Sequence, residues 1–78
     1  MKTVNAIKKL EKAGAEISIQ GRRIYAYIKN DVIEFLDKDG CAMCIKIRNK
    51  NDHDDSMTDY SAGVWCDNIT RAIRLAVY

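Results

Sequence analysis

AEISIQGRRIYAYIKNDVIEFLDKDGCAMCIKIR, residues 15–48, decides the fold. Apolar and polar residues alternate through it, and short polar or glycine-bearing interruptions cut it into extended runs, the period-2 pattern of strands joined by hairpins. A pairing slip of one residue moves every side chain to the other face of a sheet. Each proposed turn can therefore be tested by whether it keeps the apolar residues together. A two-residue turn at Gly21-Arg22, of the kind that begins with glycine, sets Ile19 opposite Ile24 and Ile17 opposite Ala26. A second two-residue turn at Asn30-Asp31 sets Ile28 opposite Ile33 and Ala26 opposite Phe35. A three-residue turn, Lys38-Asp39-Gly40, with its glycine last to support a bulge, sets Phe35 opposite Met43 and Ile33 opposite Ile45.

These turns agree on one core face, made of Ile17, Ile19, Ile24, Ala26, Ile28, Ile33, Phe35, Met43, Ile45 and Ile47. The opposite face receives Tyr25, Tyr27, Val32, Glu34, Leu36, Ala42, Cys44, Lys46 and Arg48, with Tyr25 across from Leu36 and Tyr27 across from Glu34.

Helical spacing flanks the strands. In TVNAIKKLEKAGAE, residues 3–16, Val4, Ala6, Ile7, Leu10 and Ala13 form an apolar stripe, with Thr3 as N-cap and Gly14 as left-handed C-cap. Near the other end, Ile69, Ala72, Ile73 and Ala76 recur at i, i+3, i+4 and i+7 after Asp67, which reads as the N-cap, and Arg71 and Arg74 point outward. The expected architecture is α+β: a four-stranded antiparallel meander with two helices packed on one face, in the order α-β-β-β-β-α, as a single domain over residues 1–78.

Composition narrows the function. The apolar share of 47% is that of a globular chain, and the charge of +2 from 13 basic and 11 acidic residues is too even to imply nucleic-acid binding by itself. No apolar run approaches the roughly 20 residues of a membrane helix, and the start MKTVNAIKKL has no signal-peptide core. A cytoplasmic location in a host cell, with reduced cysteines and no membrane partner, is the expectation.

Candidate chemistry is sparse. Cys41 and Cys44 in CAMC have the spacing of a redox or zinc pair, yet two thiols three apart on a strand diverge, and only Cys66 and His53 remain to complete a site. NDHDDSMTDY, residues 51–60, gathers Asp52, Asp54, Asp55 and Asp59 around His53. Read as a calcium loop from Asp52, it has Met57 where a glycine is needed and Gly63 where a bidentate glutamate is needed. No metal, cofactor or catalytic constellation is assigned. The stretch reads better as an acidic loop, with Tyr60 beside it, whose charge suits a basic groove on a partner. Tyr25, Tyr27 and Leu36 on the uncovered sheet face would add buried area. Trp65 lies just before the last helix, placed to pack over the start of that helix or to join the sheet edge.

TVNAIKKLEKAGAE, DKDGCAMCIKIR (residues 37–48) and DYSAGVWCDNITRAIRLA (residues 59–76) together resemble small uncharacterised proteins encoded by bacteriophages and prophages. That resemblance implies an accessory role of the kind served by anti-CRISPR and anti-restriction proteins, which act by binding a host complex without catalysis. The expected function is a non-enzymatic protein that binds and blocks a host protein or ribonucleoprotein complex of a defence system. The partner-binding residues would be Asp52, Asp54, Asp55, Asp59, Tyr60, Tyr25, Tyr27 and Leu36. The alternative is a small nucleic-acid-binding regulator that stacks bases on the tyrosines beside Arg23, Lys46 and Arg48. A homodimer through the open sheet face is compatible with either.

Overall fold

The computed structural model describes residues 1–49 and 64–77. The elements in chain order are α1 (Thr3–Lys12), β1 (Glu16–Gln20), β2 (Arg23–Ile28), β3 (Asp31–Lys38), β4 (Cys41–Asn49), β5 (Val64–Trp65) and α2 (Ile69–Val77). The class is the expected α+β, but the antiparallel sheet has five strands in the order β1-β2-β3-β4-β5. The fifth is a two-residue strand that sets Trp65 against Lys46 and Val64 against Ile47. So short a strand carries no readable alternation, which is why periodicity missed it.

The first hairpin has the expected register, with Ile19 opposite Ile24 and Ile17 opposite Ala26, and Gly21 takes the left-handed φ of 63° that opens such a turn. The second hairpin is two residues off. Its turn is Lys29-Asn30, with Lys29 at φ 52°, and Ala26 pairs with Ile33, Ile24 with Phe35, Tyr25 with Glu34 and Tyr27 with Val32. A slide of two residues leaves every side chain on its own face, so alternation could not separate the two registers.

The third hairpin departs further. Asp39-Gly40 is a two-residue turn with both residues left-handed, at φ 53° and 83°, and Lys38 pairs with Cys41 and Leu36 with Met43. This shifts β4 by one residue, so Ala42 faces the core at 7% exposure while Met43, expected inside, is 45% exposed. A bulge then restores the faces: between the pairs Glu34–Lys46 and Leu36–Met43, Cys44 and Ile45 together oppose Phe35, and Cys44 takes φ 54°. Beyond the bulge Ile45 and Ile47 point inward as expected, with Ile33 now opposite Ile47.

The core joins Ile24, Ala26, Ile28, Ile33, Phe35, Ala42, Ile45 and Ile47 of the sheet to Ala6 and Leu10 of α1 and Ile69 and Ala72 of α2. Both helices therefore pack on one face. Ile17 is only partly buried, and Ile19 and Val4, both expected in the apolar interior, are 63% and 56% exposed because they lie at its margin.

Helix ends differ in detail from the expectation. Gly14 at φ 98° does close α1: its N–H donates to the Glu11 carbonyl (3.0 Å) and the Ala15 N–H to the Leu10 carbonyl (3.0 Å), the paired bonds of a Schellman motif. Thr3 is not the cap. It is the first helical residue, and its Oγ1 donates to Asp37 Oδ1 at 2.6 Å while its N–H donates to the Gly40 carbonyl at 2.8 Å. In α2 the capping oxygen belongs to Asn68, whose Oδ1 accepts from the Arg71 N–H at 2.8 Å. Asp67 instead lies 4.0 Å from Arg71 as an exposed ion pair.

Three substitutions test the bulge. Ala42→Asp should unfold the protein or cost several kcal/mol, about what an unpaired buried carboxylate costs. Met43→Asp should stay within about 0.5 kcal/mol of the parent, as exposed substitutions do. Cys44→Gly should stabilise the fold by up to about 1–2 kcal/mol, the cost a side chain incurs in the left-handed region, and so raise the urea midpoint. If the three-residue turn were correct, the Ala42 and Met43 results would be exchanged.

Candidate functional site

The face of the sheet turned away from the helices carries the remaining candidate residues. Of the sequence-derived set, Asp52, Asp54, Asp55, Asp59 and Tyr60 lie outside the described residues. Tyr25, Tyr27 and Leu36 share this second face, as register requires: Tyr25 pairs with Ser18 and Glu34, Tyr27 with Glu16 and Val32, and Leu36 with Arg23 and Met43. Their exposure is unequal. Tyr25 is buried at 8%, Tyr27 is intermediate, and Leu36 is exposed at 36%.

Much of the face is buried. Val32 has no exposed surface and Lys46 retains only 4%. An ammonium in such a place needs compensation, and Lys46 Nζ sits 5.1 Å from the centre of the Trp65 ring, within cation–π range. Glu34 is its cross-strand partner. Glu34 also reaches the guanidinium of Arg48, with Oε1 3.4 Å from Nε and both side chains at least four-fifths buried. That separation makes an ion pair rather than a close hydrogen bond. Lys46, Arg48, Glu34 and Trp65 thus form a mixed-charge group fixed by the pairing of β3, β4 and β5.

Around this group lies exposed apolar surface: Leu36 and Met43 as a cross-strand pair at 36% and 45%, and Trp65 at 61%. An open pocket of about 190 Å³ sits among them, lined by Arg23, Tyr25, Glu34, Phe35, Leu36, Cys44, Lys46 and Trp65. Small-molecule sites enclose roughly 300–1,000 Å³, so this hollow is sized for one side chain of a partner rather than for a substrate. Met43 joins this face, contrary to expectation, because the bulge lies at Cys44 and not at the turn. Trp65 was legible as an aromatic near the sheet edge but not as a member of this face.

The cysteines have separate settings. Cys41 and Cys44 are exposed free thiols, Cys44 at the pocket rim. Cys66 is partly covered, and its N–H donates to the Ile45 carbonyl at 2.9 Å, extending the β4–β5 contact. Burial pushes the Cys66 thiol up; the Arg71 guanidinium partly offsets this and Asp67 adds to it. No group of three or more His, Cys, Asp or Glu side chains suited to a metal occurs among the described residues. No helix among them is long and apolar enough to cross a membrane.

No protein-family model, no curated protein and no solved structure matches the chain. A raised Cys66 pKa lowers the thiolate fraction at a given pH, and the thiolate is the nucleophile. Iodoacetamide near pH 8, just below the ordinary thiol value of about 8.5, should label Cys41 and Cys44 several-fold faster than Cys66. Mass spectrometry of a time course reads the order, and equal rates would show that Cys66 is as open to the reagent as the other two.

Proposed function

We propose that the chain is a non-enzymatic binding protein, a phage-type accessory factor that occupies a protein surface on a host macromolecular complex in the cytoplasm. A nucleic-acid-handling complex of a defence system is the target class. The observation that carries this reading is the side-chain-sized pocket of the second sheet face, framed by exposed Leu36 and Trp65 with Met43 beside them. A few aromatic and aliphatic residues around a small pocket are what a binding hot spot requires. The aspartates at 52, 54, 55 and 59 add a concentrated negative charge to a chain whose net charge is only +2. Charge of that kind steers a binder toward a basic groove.

The nucleic-acid alternative fits the same face less well. It needs basic groups available to phosphate, whereas Lys46 is buried over Trp65 and Arg48 is held against Glu34. Tyr25, the central stacking candidate, is itself buried.

The test is capture from lysate of a bacterial host on immobilised protein, with nuclease treatment in parallel. A nuclease-resistant protein complex should be retained, and Leu36→Asp with Met43→Asp should weaken its purified form by roughly thirtyfold or more, the scale of hot-spot loss. Asp54→Lys with Asp55→Lys, or added salt, should slow association. Recovery of nucleic acid alone would reject this reading in favour of the regulator. Protein binding indifferent to the Leu36 and Met43 changes would move the site off this face.

A further inference from the structure

The two edges of the sheet are treated differently. Along β4, the outer edge is taken up at one end by the N-terminal residues, where Lys2 bridges Cys41 and the Ala42 N–H donates to the Met1 carbonyl at 2.9 Å. At the other end it is taken up by β5. Along β1, no described residue pairs with the outer edge. The two-residue turn makes Gln20 and Arg23 the hydrogen-bonded pair that closes the first hairpin, so Ser18 and Glu16 also bond inward. The N–H and C=O groups of Ile17 and Ile19 therefore point away from β2. Such an edge is a template for another strand, and β1, although short, lacks a proline, a lysine and a bulge to guard it.

We propose that this edge pairs with the same edge of a second copy of the chain, antiparallel about Ser18, so that two sheets become one continuous sheet. The occupant is identified by the strand itself. Glu-Ile-Ser-Ile-Gln has the same polarity pattern in both directions, so self-pairing about Ser18 sets Ile17 against Ile19 of the second copy and Glu16 against its Gln20. No like charges meet. The outward N–H and C=O groups of each Ile17 and Ile19 are satisfied reciprocally, in four hydrogen bonds by this geometry. Ile19 lies on the core side of the sheet, opposite Ile24 at 2% exposure, yet is itself 63% exposed; the second copy's Ile17 covers it. This interface is separate from the second-face pocket and stands without it.

The test is sedimentation equilibrium of the full chain across a wide concentration range, with circular dichroism as the check on folding. The parent should show a monomer–dimer equilibrium. Ile19→Pro removes an outward N–H and no ladder bond within the monomer, and should abolish the dimer while leaving the spectrum unchanged. Gln20→Lys sets a lysine across from Glu16 in both symmetric positions and should tighten the dimer by about two- to thirtyfold at low salt. Gln20→Glu should weaken it by a similar factor, although in the monomer the new carboxylate lies beside its cross-strand partner Arg23. The opposed signs separate the interface from any effect on folding. A parent monomeric throughout would overturn the proposal. So would a dimer indifferent to all three variants but broken by Leu36→Asp with Met43→Asp, which would assign it to the second face.

Discussion

One extra residue in β4 holds this structure together. The Asp39-Gly40 turn, left-handed at both positions, is the connection whose twist best matches paired strands, but it sends Met43 outward and Ala42 inward. Continued without interruption, that register would put Ile45 and Ile47 in water and Lys46 in the core. The bulge at Cys44 prevents this, at the cost of a side chain in a backbone region that favours glycine. Ile45 and Ile47 are both members of the core cluster. Their burial offsets the local strain, because a fully buried aliphatic side chain contributes about 1.5–3 kcal/mol against about 1–2 kcal/mol for the left-handed residue.

The same bulge makes the second face. It places Lys46 opposite Glu34 in the ladder and lets Val64-Trp65 pair beside it, so the buried ammonium lies over the Trp65 ring while Glu34 reaches Arg48. It also leaves Cys44 and Met43 on the outer side near Leu36, where an unbroken alternation would have given a different set. The pocket and the core are thus consequences of one local decision in the backbone. A change at Cys44 that moved the bulge would rearrange both.

Face assignment was legible in residues 15–48 wherever alternation was uninterrupted. Ile24, Ala26, Ile28, Ile33, Phe35, Ile45 and Ile47 point inward as the pattern required. What alternation cannot supply is absolute register, since a slide of two residues preserves every face; hence Tyr25 meets Glu34 rather than Leu36. Nor can it locate a bulge that no glycine marks. The expected three-residue turn at Lys38-Asp39-Gly40 put a bulge at the glycine, whereas the turn has two residues and the bulge lies at Cys44. Thr3 and Asp67 show a different limit. Both have capping side chains, but Thr3 is drawn into a bond with Asp37 and capping passes to Asn68 in α2. Tertiary partners and adjacent alternatives decide such cases, and sequence spacing contains neither. Of the partner-binding set, Leu36 kept its exposure while Tyr25 lost it; the cross-strand neighbours of Tyr25 are Ser18 and Glu34, where the expected register had set Leu36.

Edge protection follows from the chain's connectivity. β4 lies beside both the N-terminal residues and the segment that leads into α2, so its edge is covered at little topological cost: residues 1–3 and 64–66 already pass alongside it. Among the described residues β1 has no such neighbour. The Schellman turn at Gly14 delivers the chain from α1 directly into β1, and no described residue pairs along its outer side. A small domain in this position can shorten the edge strand, charge it or pair it. β1 is short, at five residues, but its outward-bonding residues are both isoleucine, and shortening alone does not hide them. Pairing with a second copy, as proposed above, would satisfy them, and a chain with a thin core margin would gain stability from it.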